Sequence, residues 1–164
     1  MTLTSNYDPS SYQQPRGMSA ALLTELTKPF HRKLLDEARS SLTSGSTETA
    51  TVLAQAASEM CTEWAITGLF ALRKDGDLTE AVLGLFVAKD ICNERVRAVF
   101  SALSNDNPAQ QPFWTTLKAH HKRRNLVVHR GSKASAAEAQ ESVVTVEQYI
   151  GYVEALLSSR QPKT

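Results

Sequence analysis

The chain has 164 residues, 41% of them hydrophobic and 21% charged, with a formal net charge of +1. This fits one globular domain with a real core and excludes a global field that would draw the whole molecule to nucleic acid or to a membrane. A nucleic-acid role must come from a local patch, and residues 120–130 carry the only strong one.

Residues 1–17, rich in Ser, Tyr, Gln and Pro, read as a flexible N-terminal arm. They contain no apolar core of a secretory signal, and no run reaches the ~18 apolar residues of a membrane span. The expectation is a cytoplasmic protein with no membrane association. A helical domain is expected over 18–160, followed by a polar tail at 161–164.

The first helical region is predicted over 18–44, with Ala20, Leu22, Leu23, Leu26, Phe30, Leu34, Leu35 and Ala38 at helical spacing. Pro29 should split it and open its second piece. After a Gly/Ser/Thr loop, a long helix is predicted over 49–73. One of its faces carries Val52, Ala56, Glu59, Glu63, Ile66 and Phe70, and an adjacent stripe carries Leu53, Ala57, Met60, Trp64 and Ala71. Two carboxylates therefore stand on an otherwise apolar face.

A third helix is predicted from Thr79 to about Ser101, with Val82, Leu85, Phe86, Ile91, Val96 and Val99 on its apolar side. Lys89, Asp90, Glu94, Arg95 and Arg97 form its solvated side. A fourth runs from about Pro112 to Val128, anchored by Phe113, Trp114, Leu117 and Val127 or Val128, and stopped by Gly131. Ser135 and Glu138 fit a capping box. The last helix follows with a seam of Ala139, Val143, Val146, Ile150, Val153 and Leu157. The fold class is all-α, a five-helix up-and-down bundle with short loops.

Cys61 and Cys92 lie among apolar neighbours in predicted helices, without CxxC or histidine spacing. They read as buried free thiols, not as a zinc site. No metal and no cofactor is expected.

The chemistry concentrates in Arg124-Asn125-Leu126-Val127-Val128-His129-Arg130-Gly131, which continues the basic run His120-His121-Lys122-Arg123. On a helix, His121, Asn125 and His129 share one stripe at single-turn intervals. Arg124 is turned about 100° from Asn125, so Arg124 and His129 do not lie on a common line. Arg is a forked donor suited to phosphate, and His moves protons near neutral pH. With no acidic metal cluster beside them, the pair suits cleavage of a phosphodiester by its neighbouring 2′-hydroxyl. Asn125 would orient the histidine or bind phosphate. The competing reading of the same residues is the basic last turn of a helix, where cations favour the dipole.

Arg124-Asn125, three residues, then His129-x-Gly131, closing the penultimate helix before a long seam helix, resembles the HEPN superfamily over roughly residues 30–158. Its hallmark is an Arg-x4–6-His motif, here Arg124 and His129 with Asn125 as the polar follower. The resemblance implies a helical homodimer whose two motifs meet in one composite site. It also implies a metal-independent endoribonuclease acting as a toxin or as a phage-defence or RNA-processing effector, with an antitoxin or regulatory protein as a possible partner. Non-catalytic members that bind RNA or protein are the alternative. On this reading Arg124, Asn125 and His129 are catalytic. Glu59, Glu63 and His121 support them, and Lys122, Arg123 and Arg130 bind RNA. Glu59 or Glu63 either pairs with Arg124 or lies solvated at the rim.

Overall fold

The computed structural model describes residues 28–160. The predicted arm at 1–17, the helical start at 18–27 and the tail at 161–164 lie outside the described residues. Within them the chain is helical with no strand: α1 (Phe30–Thr43), α2 (Thr47–Leu72), α3 (Thr79–Leu83), α4 (Glu94–Ser104), α5 (Trp114–Arg130) and α6 (Ala136–Arg160). Short 3-10 turns stand at Gly76–Leu78 and Pro108–Gln110.

Local chemistry sets most boundaries. Pro29 sits just outside α1, and its carbonyl accepts from Arg32 N and Lys33 N. α1 ends in a Schellman pair, Ser46 N to Ser41 O and Gly45 N to Leu42 O, with Gly45 at φ +80°. Gly131, at φ +61°, stops α5 where its sequence predicts, and Gly131 N and Ser132 N return to the carbonyls of Val127 and Leu126. The capping box opens α6: Ser135 N donates to Glu138 Oε2 at 2.8 Å and Glu138 N to Ser135 Oγ at 3.3 Å.

α2 is the central helix and packs on α1, α4, α5 and α6. Its fully covered stripe is Ala50, Ala54, Ala57, Cys61 and Ala65, continued by Leu69. That stripe is offset from the predicted faces, and Trp64 is left 41% exposed. The helix is apolar over most of its surface, so periodicity alone did not choose a side. The small side chains let neighbouring helices come close, and that decides the packing. The α6 seam is buried throughout, as expected. Between α2 and α6, Thr62 Oγ1 and Tyr149 Oη share a hydrogen bond of 2.8 Å in the core. α1 is pinned to α6 by Glu154, which accepts from Arg32 Nε at 2.8 Å and meets His31 Nε2 at 3.1 Å.

The expectation of five helices does not hold, because the described residues form six. The predicted third helix is two helices separated by residues 84–93. Gly84 ends α3, and two side chains then take backbone N–H groups that a continuous helix would have used. Asp90 Oδ1 accepts from Cys92 N at 2.8 Å. Asn93 Oδ1 accepts from Arg95 N at 2.9 Å and caps α4. The break exposes Leu85, which was predicted apolar-side, and buries Asp90, which was predicted solvated.

Cys61 is buried and Cys92 half-buried, both as free thiols. Burial pushes both thiols up, Cys92 to about 12.

A candidate active site around the end of α5

Three elements meet at this site: the middle of α2, the 84–93 connection and the second half of α5. His120 faces the core, 1% exposed, with neither ring nitrogen hydrogen-bonded. Burial, and then the Arg123 charge, lower its pKa to about 4. His121 turns outward by one residue step and places Nδ1 against Asp90 Oδ2.

Asp90 is 5% exposed. Its Oδ2 also accepts from Gln55 Nε2 at 3.1 Å. Burial alone would raise this carboxyl, but His121, Cys92 N and Gln55 outweigh it and hold it below the usual range. The contact with Asp90 in turn raises His121, against the effect of burial.

The second ring nitrogen, His121 Nε2, lies 2.9 Å from Asn125 Nδ2. Arg124 Nη1 donates to Asn125 Oδ1 at 3.0 Å. Arginine has no acceptor, so the amide orientation is fixed and Asn125 presents its NH2 to the imidazole. In its neutral form His121 therefore accepts at Nε2 and carries its proton on Nδ1, facing Asp90. The loop closes through α2: Arg124 Nη2 is 4.0 Å from Glu59 Oε1, and that oxygen accepts from Gln55 Nε2 at 2.8 Å. Six side chains from three elements thus form one polar ring.

The ring separates two depressions that share His121. On one side, a groove of about 460 Å³ along α5 is lined by His121, Lys122, Asn125, Leu126, His129 and Arg130. The stripe of His121, Asn125 and His129 thus lies together as its spacing predicts. On the other, a cleft of about 410 Å³ lies between α2, the 84–93 connection and α5. Arg124 lines the cleft and not the groove, so within one chain it does not share a depression with His129.

The remaining predicted residues separate. Glu59 is the carboxylate nearest Arg124, whereas Glu63 lies 3.8 Å from Lys89. Lys122 and Arg130 are exposed on the groove. Arg123 is directed to α6, donating to Ser142 Oγ and Glu141 Oε2, each at 2.7 Å. His129 is exposed at the groove's end.

Sequence reasoning missed Asp90 and Gln55. The run Asp90-Ile91-Cys92-Asn93 carried a usable signal, two turn-forming side chains three residues apart, but the apolar periodicity around it favoured a continuous helix. Among the described residues no group of three or more metal-ligating side chains converges, and no helix is long and apolar enough to cross a membrane. Comparison of the chain with protein-family models, curated proteins and solved structures gives no match.

Proposed function

We propose that the protein is a metal-independent endoribonuclease of HEPN type that cleaves RNA through its own 2′-hydroxyl, with the working site assembled from two copies of the chain. The observation that carries this reading is the solvent-open groove where His129 stands in line with Asn125 and a carboxylate-held His121. In the step, a histidine takes the 2′-OH proton while the 2′ oxygen attacks phosphorus. The P–O5′ bond breaks and a second histidine protonates the 5′ oxygen, leaving a 2′,3′-cyclic phosphate. Asp90 would hold the His121 ring as a positioning residue, and Arg124 would neutralise charge on the phosphorane.

Spacing supports a composite site. His121 and His129 are two turns apart, ~12 Å along one helix, too far to serve the two oxygens of one phosphate. Juxtaposing two α5 helices would bring His129 of one copy to His121 and Arg124 of the other. A toxin or defence role, with an antitoxin or regulatory partner, is the setting this activity implies.

The test is incubation of the purified chain with single-stranded RNA in the presence of a chelator. Cleavage to 2′,3′-cyclic phosphate ends is expected, with no cleavage of DNA. His129→Ala should lower it by at least about 100-fold with unchanged helical circular dichroism. One observation favours a second reading, a non-catalytic RNA-binding module: Arg124 is engaged by Asn125 and faces the cleft. Salt-dependent RNA binding without cleavage would select that reading.

A further inference from the structure

Beyond Arg124 and His121, the cleft on the far side of the polar ring carries side chains that the phosphodiester chemistry does not use. Its walls include Glu59 of α2, Ala88, Cys92 and Asn93 of the connection, and Lys118 and Arg124 of α5. Ala88 and Cys92 supply apolar surface, while Glu59, Asn93 and Lys118 supply hydrogen-bonding capacity that the fold leaves unspent. Glu59 Oε1 is taken by Gln55, but no hydrogen bond among the described residues engages Oε2. Asn93 uses only Oδ1, as the cap of α4. Lys118 is exposed and has no carboxylate partner among the described residues, standing 6.0 Å from the Trp114 ring.

We propose that this cleft is a base-recognition subsite that takes a guanine of single-stranded RNA next to the phosphate held in the groove. The proposal rests on the RNA reading above and adds the substrate class. Guanine presents two adjacent donors, N1–H and N2–H2, which a carboxylate accepts. It also presents O6 and N7, which a Lys donor recognises. The spare groups divide the same way, one carboxylate oxygen against an ammonium and an amide. Adenine offers no N1–H to the carboxylate, and uracil offers two carbonyls and a single N–H. A volume of about 410 Å³ admits a purine nucleoside. Because His121 borders both depressions, a base in the cleft would sit one nucleotide from the groove. Cleavage would then occur beside guanosine.

The experiment uses the full chain and the four nucleoside monophosphates, followed by calorimetry and amide NMR shifts. Guanosine monophosphate should bind saturably, about tenfold or more tighter than the other three, and should shift amides of residues 88–93 and 118. Glu59→Gln and Lys118→Ala should each weaken it about tenfold while the circular dichroism is retained. Equal binding of all four nucleotides, shifts elsewhere, or indifference to both variants overturns the subsite. Guanosine monophosphate binding in the cleft by a protein that cuts no RNA supports the subsite and sinks the ribonuclease reading. Cleavage without preference for guanosine, and without guanosine monophosphate binding, does the reverse.

Discussion

Asp90 lies against His121: its carboxylate, 5% exposed, faces Nδ1 of the imidazole, and with Asn125 at Nε2 it sets the ring's orientation. Gln55 of α2 and Cys92 N of the same connection steady the carboxylate. Removing Asp90 takes the acceptor from Gln55 Nε2 and Cys92 N as well as from His121. Asp90→Ala should therefore destabilise the fold by about 2 kcal/mol in urea unfolding, and Asp90→Asn by less. The readout specific to positioning is the imidazole titration by NMR. His121 should titrate above ordinary histidine in the native chain and fall in Asp90→Asn. An unchanged His121 titration would show that the contact does not exist in solution.

His120 makes a pH prediction of opposite sign. Its pKa is lowered to about 4 in the fold by burial and by Arg123, whereas in the unfolded chain it is near 6.5. The unfolded state therefore binds more protons between these values, and this group's contribution is fully present above about pH 6.5 and lost as pH falls toward 4. The loss is on the order of 3 kcal/mol. His121, whose pKa is raised, works against it: its contribution is present below its unfolded pKa and lost as pH rises through the folded one. A comparison of native chain and His120→Leu isolates the buried ring. The variant should lose less stability between pH 6.5 and 4. Because neither ring nitrogen is hydrogen-bonded, it should be no less stable than the native chain at pH 4.5.

The two ends of the α5–α6 connection should report separately. Gly131 has φ +61° with open space around its missing Cβ, so Gly131→Ala carries only backbone strain, about 1 kcal/mol. Ser135→Ala removes the reciprocal cap and should also cost about 1 kcal/mol. Thermal unfolding of each variant checks both. The Gly131 change sits beside His129, so on the proposed ribonuclease reading it should also alter RNA cleavage, which the Ser135 change should not.

The thiols should be inert in the native state. With Cys92 pushed up to about 12 and Cys61 higher still, both should alkylate far more slowly than a free cysteine at pH 8 and become reactive together in denaturant. Mass spectrometry against time distinguishes this from selective labelling of Cys92.

The helices α1, α2, α5 and α6 were legible because their signals were local: Pro29, Gly131, the Ser135–Glu138 box and the α6 seam act within a few residues. The face of α2 was not, since an apolar-all-round helix takes its orientation from neighbours. Nor was the break at 84–93, where side-chain hydrogen bonds from Asp90 and Asn93 prevailed over apolar spacing. The site divided in the same way. The common stripe of His121, Asn125 and His129 follows from helix geometry alone. The carboxylate beneath His121 comes from 31 positions earlier in the chain and belongs to the segment whose structure was misread.

The 84–93 connection also bears on how this protein could diversify. It contributes one wall of the cleft and the anchor of His121, yet Leu85 and Val87 within it face solvent and carry no share of the core. Substitutions at Leu85, Val87 and Ala88 could reshape what the cleft admits while Phe86 keeps the connection packed on the core. Variation among descendants of this chain should therefore concentrate in those few positions, with Asp90 marking where tolerance ends.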